Sequence, residues 1–378
     1  MINILYLITT QQKDGPGNVL INIVNNIDRN KFKPMVVYMY HKKDAKENIT
    51  DFISKDIKII NLNMKSPFRG WLDIRVIFKL RRIIKKYNIE IIHMHLHRPI
   101  IFGTIASRKR CKKIATIHGQ EPHQNPNSIF EYIVNKLENY ALKKCDCITT
   151  VSEAVKKSII KCYKLDSNKI SVVYNSIDKN KYSCESINLR QKFKLGEKSI
   201  LVASIARIEP EKGISYLIEA TKILVENGLD NFKLLIIGEG SLEETLKLQV
   251  KNNNLDDVVI FTGYISDINN IISQIDIVVM ASIFEGLGLS LIEAMAYKIP
   301  CIGTNAGGIP EVLGKDGIIV DKANPISLAN AIKELVEDDA KRKSIGEQLY
   351  DRYNKMFTHE KMISGYEKLY DMQIDSVK

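Results

Sequence analysis

The chain has 378 residues, 45% of them hydrophobic and 26% charged. That length exceeds one ordinary core and suits two domains of roughly 150–200 residues each, and the charge density argues against a membrane-embedded protein. No apolar run approaches the ~18 residues that span a bilayer, so the expected location is the cytoplasm.

The net charge of +11 is unevenly spread. Residues 1–185 hold 33 Lys and Arg against 16 Asp and Glu, a net of +17, whereas the remainder has a net of −6. Such asymmetry implies an anionic partner or surface beside the first half. The six cysteines show no metal-ligand spacing and read as reduced thiols. Cys145 and Cys147, two apart, are expected on one face of a strand.

Taken in chain order, Met1–Thr10 is apolar but short and lacks a basic leader, so it reads as a first strand rather than a signal peptide. A glycine-rich turn, KDGPGN at Lys13–Asn18, follows it. Strands are expected at Asn3–Ile8, Met35–Tyr40, Ile57–Leu62, Glu90–His95, Lys113–Ile117, Cys147–Val151 and Ser171–Tyr174. Several are apolar on consecutive residues, as strands buried on both faces should be. Helical patterns lie between most of them, which is βαβ logic and predicts a mostly parallel sheet with helices on both faces. One of these helices, Leu72–Asn88, carries an apolar stripe of Val76, Ile77, Leu80, Ile83 and Ile84 within a basic surround, and a second basic cluster follows at Arg108–Lys113. The stripe suits packing on the sheet; the charge suits docking on anionic lipid. His93, His95 and His97 alternate toward a strand end. Three histidines on one face can ligate zinc, but with no carboxylate partner nearby they read better as the lining of a cleft near an acceptor.

The polar stretch Asn175–Lys194 breaks the rhythm and is the expected linker. The pattern then restarts with strands at Ile200–Ile205, Lys233–Ile237, Val258–Thr262, Ile277–Ala281, Pro300–Gly303 and Gly317–Val320, and Lys341–Lys378 is helical. Two such units place a ligand cleft between their sheet ends.

The most informative segment is FEGLGLSLIEAMAYKIP, Phe284–Pro300. A glycine-rich loop between a strand and a helix over Ser290–Tyr297 exposes backbone N–H groups where the helix dipole favours an anion, which suits a diphosphate. Ser290 is the expected N-cap. Glu285 and Glu293 flank the loop, and carboxylates accept hydrogen bonds from sugar hydroxyls. The plain alternative is that Glu293 serves only the helix dipole and Glu285 only solvent.

The spacing of Glu285 and Glu293 within this loop resembles the signature of glycosyltransferase family 4, retaining enzymes of the GT-B fold. A second matching segment is ARIEPEKG, Ala206–Gly213, after the first strand of the second half. The resemblance implies that Arg207 and Lys212 hold the donor diphosphate, and two cations there would stabilise the leaving group. Further matches are GEGS at Gly238–Ser241, GYIS at Gly263–Ser266 with Ile265 against the base, TNAGGIPEVL at Thr304–Leu313, and IHG at Ile117–Gly119, where His118 meets the reacting sugar. The turn with Gly15 and Gly17 has Pro16 between its glycines, unlike the commoner double glycine, and Asn175-Ser176 replaces the commoner Asn-Gly.

The expectation is therefore an α/β protein of the GT-B fold, two Rossmann-like domains facing a central cleft: an acceptor domain at 1–180, a nucleotide-sugar donor domain at 181–355, and a C-terminal helix at 356–378 packing back on the first. The expected reaction moves a sugar, with retention, from a nucleotide-diphosphate sugar to a saccharide or lipid-linked saccharide acceptor. UDP is preferred to GDP as the nucleotide. Arg207, Lys212, Glu285 and His118 are the expected catalytic residues; Gly15, Gly17, Gly238, Ile265, Gly288, Leu289 and Glu293 are expected to bind the donor. There is no Asp-x-Asp, so no metal and no resident cofactor are expected. Association with the inner face of the membrane through the basic first domain is expected. Nucleic acid is not an expected partner, since no aromatics interleave the basic runs. A nucleotide-sugar epimerase and a non-catalytic basic protein are the competing readings.

Overall fold

The computed structural model describes residues 1–43, 45–64, 73–119, 129–177, 188–266 and 268–375. The chain divides into two compact units, residues 1–175 with 359–378, and residues 176–358. Half of the expected linker (178–187), with Cys184 and the expected break at 180, lies outside the described residues.

The first unit is built on seven parallel strands: β1 (Ile2–Thr10), β2 (Phe32–Tyr40), β3 (Lys58–Asn61), β4 (Ile91–His95), β5 (Lys112–Ile117), β6 (Cys147–Thr150) and β7 (Ile170–Val172), in the order β3-β2-β1-β4-β5-β6-β7. Helices α1 (Gly15–Asn26), α2 (Ile74–Lys86), α3 (His97–Ser107), α4 (Ile129–Lys143) and α5 (Glu153–Tyr163) connect them. Ile4, Leu5, Tyr6 and Leu7 of β1 are wholly buried, which explains the unbroken apolar run: a central parallel strand has no wet face. On α2, Val76, Leu80 and Ile84 are buried while Ile77 and Ile83 are half-buried, so the stripe packs as its period requires.

The second unit holds six parallel strands: β8 (Ile200–Ile205), β9 (Phe232–Ile237), β10 (Val259–Gly263), β11 (Ile277–Met280), β12 (Cys301–Thr304) and β13 (Ile318–Val320), ordered β10-β9-β8-β11-β12-β13. Its helices are α6 (Leu189–Lys192), α7 (Ile214–Glu226), α8 (Glu243–Asn252), α9 (Asn269–Ile272), α10 (Leu289–Ala296), α11 (Ile309–Leu313), α12 (Pro325–Glu337) and α13 (Asp339–Met356). The last helix, α14 (His359–Asp375), belongs to the first unit. Its Met362, Ile363, Tyr366, Leu369 and Tyr370 join the core cluster formed with β1 and α1. Full burial of each such side chain contributes about 1.5–3 kcal/mol, which is what ties this returning segment to residues more than three hundred positions earlier.

Three expectations are corrected here. Cys145 precedes β6 instead of sharing a strand face with Cys147; its thiol donates to the Ala141 carbonyl at 3.4 Å, in the turn that ends α4. His93 and His95 are fully buried and line no cleft. His97 leaves the strand altogether: Leu96 takes φ 74°, and His97 begins α3, where it pairs with buried Glu138, a carboxylate partner 41 residues away that spacing did not reveal. Cys111, Cys145, Cys147, Cys162 and Cys301 are free thiols, and no described helix is long and apolar enough to cross a membrane.

Candidate active site

In each sheet the strand order reverses once, between β1 and β4 in the first and between β8 and β11 in the second. Loops diverge at such a point and leave a crevice outside the carboxyl ends of the strands. Every sequence-derived site residue lies beyond a strand's carboxyl end or on the helix that follows it.

In the second unit the loop after β8 carries Arg207 and Lys212, and the loop after β11 carries Glu285 and Gly288. The Lys212 ammonium donates to Glu285 Oε2 at 2.6 Å, with both side chains about five-sixths buried. Two residues 73 positions apart thus form one charge pair at the switch point. Ser282 Oγ, 3.4 Å away, and the Gly286 amide, 3.2 Å away, also donate to the Glu285 carboxylate. Arg207 stands apart from this pair. Its side chain is 70% exposed and its guanidinium donates to Glu211 at 2.9 Å.

The loops are locked by backbone approaches that only glycine allows. Gly213, at φ +62°, caps the loop that holds Lys212, and a Cβ there would fall 2.1 Å from the Ala281 carbonyl oxygen. Gly307, at φ +52°, lies in the loop after β12, and a Cβ there would fall 1.8 Å from the Glu285 carbonyl oxygen. The Gly308 amide then donates to that same oxygen at 3.1 Å. The glycine segments that look like separate motifs in the sequence are therefore one interlocked surface around Glu285. Gly213, Gly307, Gly308 and Ser282 are the bracing residues that sequence reading did not single out; glycine at a left-handed position is the signal that could have found the first two.

Helix α10 begins at Leu289, not Ser290. Its N-cap is Gly288, at φ 98° and ψ 62°, with no side-chain capping bond. The expected capping role of Ser290 is thus corrected: its hydroxyl instead donates to the Ile205 carbonyl at 2.9 Å, fastening the start of α10 to the end of β8. A side chain that capped the helix would occupy the amides; without one, the N-terminal N–H groups and the helix dipole remain directed at the crevice. Glu293 lies at the end of the first turn of α10, partly buried. Gly238 ends β9 against the Ala206 carbonyl. Ile265 follows β10, partly buried, beside Tyr264, whose amide donates to Glu239 at 3.1 Å.

In the first unit Gly15 opens α1 and Pro16 occupies its first turn. The Gly17 amide donates to its N-cap, Asp14 Oδ1, at 3.0 Å, and a Cβ at Gly17 would meet the Gln12 carbonyl at 2.6 Å. Gly17 is thus a close-packing glycine whose amide is already engaged. His118, after β5, is partly buried, with its Nε2 3.0 Å from His95 Nδ1. Burial pushes His118 down to about 4, and His95, buried beside His93 and His118, falls well below the ordinary histidine range. Both rings are neutral near pH 7, so one donates and the other accepts. Among the described residues no group of three His, Cys, Asp or Glu could hold a metal ion.

Comparison with known proteins follows the same division of the chain. Residues 13–181 match the model of "Glycosyltransferase Family 4", and residues 185–352 match that of "Glycosyl transferases group 1". The N-acetyl-alpha-D-glucosaminyl L-malate synthase of Bacillus anthracis is 28% identical over 309 residues, 79% of this chain and 78% of that protein. The UDP-Gal:alpha-D-GlcNAc-diphosphoundecaprenol alpha-1,3-galactosyltransferase of Escherichia coli is 28% identical over 317 residues, 81% of this chain and 80% of that protein. Among solved structures, HepE of Anabaena in complex with UDP-glucose superposes with a TM-score of 0.83 at 19% identity, covering 98% of this chain and 100% of that one. With two Rossmann-like units, matching models over both and GT-B structural neighbours, the chain belongs to the family 4-type GT-B glycosyltransferases.

Proposed function

We propose that the chain transfers a sugar from a UDP-sugar to a saccharide acceptor carried on lipid, with retention of configuration, during the building of a surface polysaccharide in bacteria. The observation that carries this reading is the Lys212–Glu285 pair beside the uncapped amino end of α10. A cation and free amides suit a diphosphate, and a carboxylate held next to them suits the hydroxyls of the sugar that it bears. Relatives support the rest: the Escherichia coli enzyme uses UDP-Gal and a diphosphoundecaprenol acceptor, and HepE holds UDP-glucose.

The proposed chemistry is front-face displacement. The acceptor oxygen bonds to the anomeric carbon as the bond from that carbon to the diphosphate breaks on the same face. The departing phosphate oxygen takes the acceptor proton, and the products are the glycoside and the nucleoside diphosphate. This route needs no protein nucleophile; it needs positioning and stabilisation of the leaving group. Lys212, Arg207 and the amides of Gly288 and Leu289 take the diphosphate. Glu285 orients the sugar, Glu293 holds the ribose hydroxyls, Ile265 packs on the base, Gly238 contacts the donor at the end of β9, and His118 meets the reacting sugar. Because Lys212 and Glu285 are paired without donor, donor binding divides the ammonium between carboxylate and diphosphate. No step calls for a metal.

The test is thermal stability with UDP, GDP, ADP and their sugar conjugates, each with EDTA, on wild type and Glu293→Ala. A selective rise with UDP, lost in the variant, supports the reading. A selective rise with GDP changes the donor, and no rise with any nucleotide overturns the reading. Release of nucleoside diphosphate only when acceptor is present separates transfer from epimerisation.

A further inference from the structure

His93 and His95 lie on the same strand, are equally buried and are differently employed. Neither has any exposed surface. Both ring nitrogens of His93 serve the core: Nδ1 lies 2.8 Å from the Tyr370 hydroxyl and Nε2 lies 2.6 Å from Thr116 Oγ1. It is a core residue with its polar atoms satisfied, as buried polar groups generally are. Among the described residues His95 makes one hydrogen bond, between its Nδ1 and His118 Nε2 at 3.0 Å, and its own Nε2 is buried with no partner in the protein. A buried polar atom without a partner costs stability that an apolar side chain of similar volume would not. Packing therefore does not account for an imidazole at position 95, and the single contact it makes points to His118.

That contact follows from strand register. β4 and β5 pair in parallel, with His95 opposite Thr116. Two residues further on, His118 falls on the same face of the sheet, about 6–7 Å nearer the crevice. The two rings lie at 28° to each other with centroids 5.3 Å apart. His118 Nε2 is thus held from below by the core, and Nδ1 is the ring nitrogen left to meet the sugar. Burial keeps both rings neutral near pH 7. One ring donates and the other accepts, so the nitrogen that carries the proton on His95 decides the nitrogen that carries it on His118.

We propose that His95 is a positioning residue for the transfer, holding the His118 ring at one angle and in one tautomer so that Nδ1 alone is presented to the reacting sugar. His95 itself touches no substrate, since it is wholly enclosed. The inference rests on the reading above in which His118 meets the sugar, and it adds what sets that ring. Orientation matters here because a contact misplaced by about 1 Å reduces the rate by about a hundredfold. Proteins keep a locally unfavourable group where function requires it, so stability and activity should respond in opposite senses to substitution at position 95.

The experiment compares the whole chain as wild type, His95→Leu, His95→Asn, His118→Ala and the double variant His95→Leu with His118→Ala. UDP release is followed with UDP-glucose, UDP-galactose and UDP-N-acetylglucosamine, water serving as acceptor, beside the melting temperature and its shift with UDP. His95→Leu lowers kcat by about ten- to a hundredfold, while its melting temperature equals or exceeds that of wild type and its shift with UDP is unchanged. His95→Asn, whose amide stands where the ring Nδ1 stood, recovers most of the loss. In the His118→Ala background the His95→Leu change adds less than about twofold, because the two residues act as a unit. Nitrogen NMR of the histidines shows one tautomer for His118 in wild type and a mixture in His95→Leu. The proposal is overturned by a His95→Leu variant that keeps its kcat, that loses stability and activity together, or that lowers kcat as far without His118 as with it. Absence of recovery in His95→Asn, or a mixed tautomer of His118 in wild type, overturns it as well. Wild type that releases no UDP, or His118→Ala that releases it unchanged, sinks the reading of the site on which the proposal rests; a loss in His118→Ala with none in His95→Leu sinks this inference alone.

Discussion

Acidification from about pH 7.5 to about pH 5 should destabilise the first unit, and the structure sets the size. His93 Nδ1 lies 2.8 Å from the Tyr370 hydroxyl and Nε2 lies 2.6 Å from Thr116 Oγ1. Its ring centroid is 4.3 Å from that of His95, whose Nε2 is buried with no hydrogen-bond partner. Tyr6, Tyr366 and Tyr370 close the cluster, all fully buried. Nothing there stabilises a cation, and burial lowers His93 to about 3 and His95 well below the ordinary value. An unfolded histidine titrates near pH 6.5, so between that pH and the depressed folded values the unfolded chain binds more protons. Stability is therefore complete above about pH 6.5 and falls as the pH drops toward the folded values. At pH 5 the gap is about 1.5 pH units, or about 2 kcal/mol for His93, and His95, lowered by the same burial, adds a loss in the same direction. The assay is urea denaturation followed by far-UV circular dichroism at several pH values in this window, where ordinary carboxylates have not yet titrated. His93→Gln should flatten the slope while lowering stability at neutral pH, because Tyr370 and Thr116 lose a partner. A stability that stays level or rises toward pH 5, or a histidine of this cluster seen protonated by NMR above pH 6, would refute the reasoning.

The remaining predictions concern the second unit. Gly307→Ala puts a methyl against the Glu285 carbonyl at a left-handed φ; it should lower stability by about 1–3 kcal/mol and, by moving Glu285 about 1 Å, reduce kcat/KM by about a hundredfold, measured as nucleoside diphosphate released with acceptor. Lys212→Met removes a donor to the leaving group and should reduce kcat by about two to three orders of magnitude, whereas Arg207→Met, at an exposed position, should have the smaller effect; the reverse order in the same assay would place the diphosphate away from the Lys212–Glu285 pair. Activity should be indifferent to EDTA, and its loss with chelator and return with a divalent cation would require a metal in the mechanism.

The local pattern of this fold is written plainly in the chain. All thirteen strands are legible from their runs of apolar and β-branched residues, which are densest where a central strand such as β11 or β12 is buried along its whole length, and the β8 bounds agree to the residue. The helix packing of α2 is equally readable from the spacing of Val76, Leu80 and Ile84. Other positions were less legible for definable reasons. His97 continues a strand's alternation in the sequence, but Leu96 at positive φ turns the chain into α3. Ser290 has the chemistry of an N-cap, yet the Ile205 carbonyl competes for its hydroxyl.

The sequence by itself determined two α/β units, the loops that carry Lys212, Glu285 and His118, and the family resemblance, because these depend on period, residue type and order along the chain. Only the tertiary structure decided that Lys212 meets Glu285, that Gly213 and Gly307 fit against carbonyls of distant loops, and that His95 faces His118. Each of these depends on which strands are neighbours, and strand order is set by how whole helices pack on the sheet rather than by any residue's local preference.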